Sequence, residues 1–190
     1  MILKRMEALK VKKTMLKAKA TSAAPPPPAA KAEAAAKSAA AAPPAAKPKV
    51  VAKYAAKSII KRMVQNGTDV ARSKVGVLGI TFKDNCPDIR NSKVVDLIRE
   101  LESWNVTVSI SDPWADPDEV MHEYGLTLVD ASLLEGLSAV IVAVGHNEFR
   151  KMDVSEFRKC CAENGAVFGD LKSIYDKQVL CDAGFDVFRL

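Results

Sequence analysis

Five short apolar runs, at 75–80, 106–110, 139–144, 166–169 and 185–188, are separated by stretches whose apolar residues recur at helical spacing. That alternation admits few folds. Neighbouring parallel strands need long crossovers, and helices supply them. The pattern therefore predicts an α/β fold: a three-layer parallel sheet with helices on both faces. Helices are expected at 93–104, 116–124, 130–134, 154–161 and 174–183. Asp116 can cap the second of these, with Pro117 in its first turn. A short strand is expected at 126–129. A further helix should precede the sheet, since Val51, Tyr54, Ala55, Ser58, Ile59, Arg62 and Met63 share a helical stripe that Asn66-Gly67 can terminate.

Residues 1–48 obey different rules. They hold 17 alanines and 7 of the 10 prolines, with 10 Lys/Arg against 2 Asp/Glu. Such a stretch cannot bury enough apolar surface to offset its ordering entropy, so a disordered basic tail is expected. The formal charge of +5 divides into about +8 on this tail and −3 on the remainder, so the basic pI says little about the folded part. No aromatic residues interleave its cations, so nucleic acid is not the expected partner. The domain plan is a tail at 1–48, a linker helix at 49–73 and an α/β domain at 74–190.

The four cysteines, Cys86, Cys160, Cys161 and Cys181, show no metal-ligand spacing. No apolar stretch approaches the roughly 20 residues that span a bilayer, and the basic N-terminus lacks the apolar run of a secretory signal. A cytoplasmic chain with reduced thiols and no membrane partner is expected.

The segment 74–92 reads Lys-Val-Gly-Val-Leu-Gly-Ile-Thr-Phe-Lys-Asp-Asn-Cys-Pro-Asp-Ile-Arg-Asn-Ser. It passes from apolar strand to charged loop, and Asn91 or Ser92 can cap the helix that follows. In open α/β sheets ligands sit past the carboxyl ends of the strands, where this loop lies. Gly76 and Gly79 do not make a dinucleotide fingerprint, because they fall inside the strand rather than on the turn, and Asp112 lies more than 30 residues beyond Gly76. Any phosphate would fall to Lys83, Arg90 and the helix N-terminus. On spacing alone, Lys83 and Arg90 serve an anionic ligand or pair with Asp84 and Asp88 in a solvated loop. Both readings stand.

The stretch from Val77 to Ser92, continued by Val-Thr-Val-Ser-Ile-Ser-Asp-Pro (106–113), the run 139–144 and Val-Phe-Gly-Asp-Leu-Lys (167–172), resembles the C-terminal domain of the UDP-glucose/GDP-mannose dehydrogenase family. The resemblance covers about residues 49–190 and implies a Rossmann-like sheet. Asn85-Cys86-Pro87-Asp88 is similar to the branch acting on UDP-N-acetylhexosamines, including the Vi-antigen type enzymes. The family oxidises a sugar C6 alcohol to a carboxylate with NAD, through two hydride transfers and a cysteine thiohemiacetal.

By this resemblance Phe82 would contact the nucleotide sugar through backbone and ring, and Lys83 would pair with its anionic part. Lys172 would bind the nucleotide sugar too, and Arg90 would reach across a domain interface to the dinucleotide. Nothing here matches the family's dinucleotide domain, its central helical domain or its Gly-Gly-x-Cys-Phe nucleophile stretch. The expectation is a UDP-sugar-binding domain that does not transfer hydride alone, to which NAD belongs by family resemblance only. The alternatives are an interaction module serving a separate dehydrogenase chain, or a protein led to nucleic acid by its basic tail. In an intact enzyme one face of the helix at 50–66 would pack on the central domain, so exposed apolar residues are expected there. Cys86 is expected as a small polar filler, His146 as a solvated loop residue, and Asp112-Pro113 as the shaper of a turn.

Overall fold

A computed structural model describes residues 48–162 and 165–190. The expected tail at 1–48 lies outside the described residues except for Pro48, which opens the first helix. The elements in chain order are α1 (Pro48–Gln65), β1 (Lys74–Leu78), α2 (Val94–Glu102), β2 (Thr107–Ser111), α3 (Pro117–Tyr124), β3 (Ala139–Val142), α4 (Asn147–Arg150), α5 (Val154–Cys160), β4 (Val167–Asp170), α6 (Lys177–Asp182) and β5 (Asp186–Arg189). All five strands are parallel, in the order β2-β1-β3-β4-β5.

Alternation along each strand sorts its side chains between two cores. Val75 and Val77, Ala139 and Ile141, Val167 and Phe188 face one layer. They pack there with Ala55, Ile59 and Met63 of α1, Leu97, Ile98 and Leu101 of α2, and Val120 of α3. Leu78, Val140, Val142, Phe168 and Val187 face the other layer, against Phe149 of α4, Val154 and Phe157 of α5, and Leu180 of α6. This is the three-layer arrangement that the strand-helix alternation predicts. Phe168 is central to the second core. Its ring meets Phe157, Tyr175 and Phe185 edge-on at 5.2–5.6 Å, a favoured aromatic geometry.

Helix α1 lies over α2 and the β4–β5 side of the sheet. Tyr54 meets Phe188 with ring centroids 6.2 Å apart, and Arg62 donates to Asp186. Asn66 donates to the Gly165 carbonyl at 3.1 Å. On the outer side of α1, Val50, Tyr54 and Val64 are exposed among lysines.

Several expected elements change form. The segment 126–129 makes only a single bridge, Leu128 to Ile110, because no second run of residues pairs along β2 there. The helix expected at 130–134 is one 3₁₀ turn, Ala131–Leu133, capped by Asp130. The last helix begins at Lys177 rather than 174, because Asp176 caps it and Asp170 already engages the amides of Ile174 and Tyr175. Helix α4 stands where a loop is expected.

Candidate functional site

In a sheet of order 2-1-3-4-5 the strand order reverses between β1 and β3, and ligands gather in the crevice at that reversal. The loop leaving β1 reaches this point and is tied down on both sides. At its far end Ile89 is buried, and its carbonyl accepts from the Tyr124 hydroxyl at 2.6 Å. The Phe82 amide donates to the Asp88 carbonyl at 2.7 Å and closes the loop on itself. At its near end Asp84 accepts from the Gly145 amide at 3.0 Å, and the Asn85 side-chain oxygen accepts from the Asn147 amide at 2.8 Å. Asn85 has φ +56°, a left-handed conformation that asparagine tolerates better than most residues.

His146 sits under this loop, fully buried. Sequence reasoning placed it in solvent, and the structure corrects that. Its Nδ1 accepts the Asn85 amide at 2.9 Å. An amide can only donate, so the neutral ring carries its proton on Nε2. Nε2 lies 3.0 Å from Thr81 Oγ1 and 3.2 Å from Asp112 Oδ2. The Thr81 hydroxyl donates onward to the Lys83 carbonyl at 3.2 Å.

Asp112 closes the network. Its Oδ2 accepts the amides of Ile80 and Thr81 at 2.7 and 3.1 Å, and its Oδ1 those of Trp114 and Ala115 at 2.8 and 3.1 Å. Burial raises its carboxyl, but the His146 contact and these amides outweigh burial and hold it below the usual carboxylate value. The turn-shaping role expected for Asp112 is present. Its reach back to β1 and across to β3 is an addition that the residue's place in sequence did not signal.

The expected ligand residues stand on this frame. Phe82 is 48% exposed, and Lys83 Nζ lies 5.4 Å from its ring centroid. Lys172 is exposed in the turn after β4, next to Ser173 at φ +51°. That turn is held by Asp170, whose buried carboxylate accepts the Ile174 and Tyr175 amides at 3.1 and 3.0 Å. Asp170 Oδ2 also lies 3.6 Å from Arg189 Nη2. Lys83 follows β1 and Lys172 follows β4, the two strands that border β3, whose end carries His146. Neither lysine has an ion-pair partner within 4.0 Å among the described residues.

Arg90 differs. Its Nε and Nη2 meet Asp88 Oδ1 and Oδ2 at 2.9 and 3.0 Å, so the solvated-pair reading describes Arg90 as it stands. Lys83 makes neither pair within 4.0 Å, since Asp84 turns to Gly145 and Arg150 and Asp88 is held by Arg90, although the Lys83 charge still acts on Asp88 through space.

These residues do not fit a dinucleotide cradle. The glycines lie in and at the end of β1, and the Gly145 and Asn147 amides at the strand reversal are already filled by Asp84 and Asn85. No group of three or more potential metal ligands lies together among the described residues. No helix among them is long and apolar enough to cross a membrane.

Residues 76–177 match the model of the UDP-glucose/GDP-mannose dehydrogenase family, UDP binding domain. The chain is 38% identical over 124 residues to UDP-N-acetyl-D-glucosamine 6-dehydrogenase of Pseudomonas aeruginosa, covering 65% of this chain and 29% of that protein. It is 42% identical over 108 residues to the Salmonella typhi protein of the same name, covering 57% of this chain and 25% of that one. Among solved structures, the NDP-N-acetyl-D-galactosaminuronic acid dehydrogenase of Methanosarcina mazei Go1 superposes with a TM-score of 0.67 at 17% identity, over 74% of this chain and 29% of that one, a likeness of fold. The chain thus spans less than a third of the length of these relatives.

Proposed function

The chain belongs to the UDP-glucose/GDP-mannose dehydrogenase family and carries its UDP-binding domain, and we propose that it binds a UDP-N-acetylhexosamine on the loop leaving β1. The observation that carries this is the exposed Phe82-Lys83 pair, held at the strand reversal by hydrogen bonds to and through the buried His146 while its own side chains stay free of ion pairs. A diphosphate is met by Lys83 from one side of the β3 end and by Lys172 from the other. Phe82 offers a flat apolar face to the base or the sugar.

Oxidation of the sugar C6 alcohol needs a dinucleotide domain and a nucleophile, which dehydrogenase domains supply in a longer protein or in a separate chain. NAD then lies on those domains, and Arg90 is the residue of this chain that turns to it, leaving Asp88 to do so. Alone, the chain binds nucleotide sugar and does not reduce NAD.

Isothermal titration of the full chain with UDP and with UDP-N-acetylglucosamine tests the binding. Saturable heat for both, and none for ADP, is expected. Absence of heat at millimolar UDP removes the proposal. NADH formation by the purified chain with UDP-N-acetylglucosamine removes the claim of inactivity.

A further inference from the structure

His146 is the fully buried residue through which three strand ends communicate. It belongs to the β3 end, Asp112 to the β2 end, and Thr81 and Asn85 to the β1 loop. Both ring nitrogens are committed, and to different partners. Nδ1 holds the backbone of Asn85, just beyond Lys83. Nε2–H holds Thr81, whose hydroxyl in turn holds the Lys83 carbonyl. The backbone on both sides of Lys83 is therefore referred to a single imidazole. Trp114 stacks near the ring at 6.3 Å and Phe149 lies tilted at 5.5 Å, so the ring has apolar neighbours as well as hydrogen-bond partners. A loop that crosses solvent between Thr81 and Ile89 would otherwise pay ordering entropy at the moment of binding.

We propose that His146 is a positioning residue for nucleotide-sugar binding, its imidazole Nδ1 fixing the Asn85 backbone so that Phe82 and Lys83 are presented already in their bound conformation. The inference rests on the nucleotide-sugar reading of the preceding subsection. His146 touches no ligand in this scheme. It acts through Asn85, and Asp112 acts through it by orienting the ring.

Two substitutions separate the ring's two nitrogens. In His146→Asn the side-chain oxygen falls near the position of Nδ1 and keeps the acceptor for Asn85. In His146→Gln the side-chain amide falls near the position of Nε2 and keeps the donor to Asp112, but not the acceptor. UDP titration of the full-length wild type and both variants, each confirmed folded by its thermal transition, is the experiment. H146Q should weaken UDP binding about tenfold, and H146N should stay within about threefold of wild type. A residue that merely filled the core would lower both transition temperatures without parting the two affinities. Equal affinities in the two variants, or an H146Q that binds as wild type does, overturns the inference.

If neither variant folds, amide exchange of the wild-type chain decides. The Asn85 amide should exchange more slowly than those of Asp84 and Cys86, and more slowly still with UDP. An Asn85 amide as fast as its neighbours, or one indifferent to UDP, overturns the inference. A wild-type chain that does not bind UDP overturns the nucleotide-sugar reading itself. Wild-type binding with an unaffected H146Q overturns the positioning role alone.

Discussion

Gly79 and Val144 approach so closely that a Cβ on Gly79 would lie 2.5 Å from Val144 Cβ, and Gly79 itself has φ +91°. This contact joins the ends of β1 and β3 at the strand reversal, immediately before the loop that carries Phe82 and Lys83. Gly79→Ala meets both a steric clash and an unfavourable backbone conformation. It should destabilise the fold by roughly 2–4 kcal/mol in urea unfolding. A loss under about 1 kcal/mol would mean that β1 and β3 part more easily than this packing implies.

Asp112 gathers five hydrogen bonds from three strand ends, and its carboxyl titrates below the ordinary value. The sign follows from linkage. A folded-state value under the unfolded one stabilises the fold above the unfolded value, about 3.9, and that stability is lost as pH falls through the folded value. Urea midpoints should therefore drop on acidification through this range. Asp112→Asn should lose about 3 kcal/mol at neutral pH and show a shallower acid dependence. An acid dependence as steep as wild type in the variant would place the titrating group elsewhere.

The two lysines and the arginine should separate in binding. Lys83→Ala and Lys172→Ala should each weaken UDP binding about tenfold. Both losses should shrink at high salt. Arg90→Ala should stay within about twofold, since an exposed pair with Asp88 contributes little. Titration calorimetry at two ionic strengths reads all three. An Arg90→Ala loss as large as that of Lys83→Ala would move the diphosphate to the far end of the loop.

The cysteines should react in a fixed order. Burial raises the Cys161 thiol to about 12 and raises Cys160 as well, whereas Cys181 is exposed. Thiolate is the reactive form, so iodoacetamide at neutral pH should label Cys181 well before Cys161. Peptide mass mapping over time checks this. Early labelling of Cys161 would show that α5 opens readily at its carboxyl end.

The layers were legible in sequence because each strand is a short apolar run and each crossover carries a helical stripe. Val75, Val77, Ala139 and Ile141 could be assigned to a buried sheet from their neighbours alone. The position of the Phe82–Arg90 segment, a loop past the carboxyl end of a buried strand, was legible too. His146 was not. Its burial depends on Asn85, 61 positions earlier, adopting a left-handed turn, and on Asp112, 34 positions earlier, reaching across β1. A histidine between glycine and asparagine carries no local mark of that. Helix α4 escaped for a related reason. Four residues are too few for a periodic signal, and the helix is held by packing of Phe149 and by the Tyr175 hydroxyl on its carbonyl. The resting partner of Arg90 was among the alternatives left open, and side-chain geometry settles it for Asp88.

Among the described elements helix α1 is made first and finished last. It leaves the ribosome ahead of every strand described, and while Ile59 can meet Gly169 once β4 is made, Arg62 and Tyr54 find Asp186 and Phe188 only after β5 has been translated. At a synthesis rate of about 5–20 residues per second, α2 is available to cover part of its apolar stripe early, and the β5 side follows several seconds later. The last strand of the chain is thus the one whose synthesis completes the cover over α1, so the fold closes on a helix made more than a hundred residues earlier.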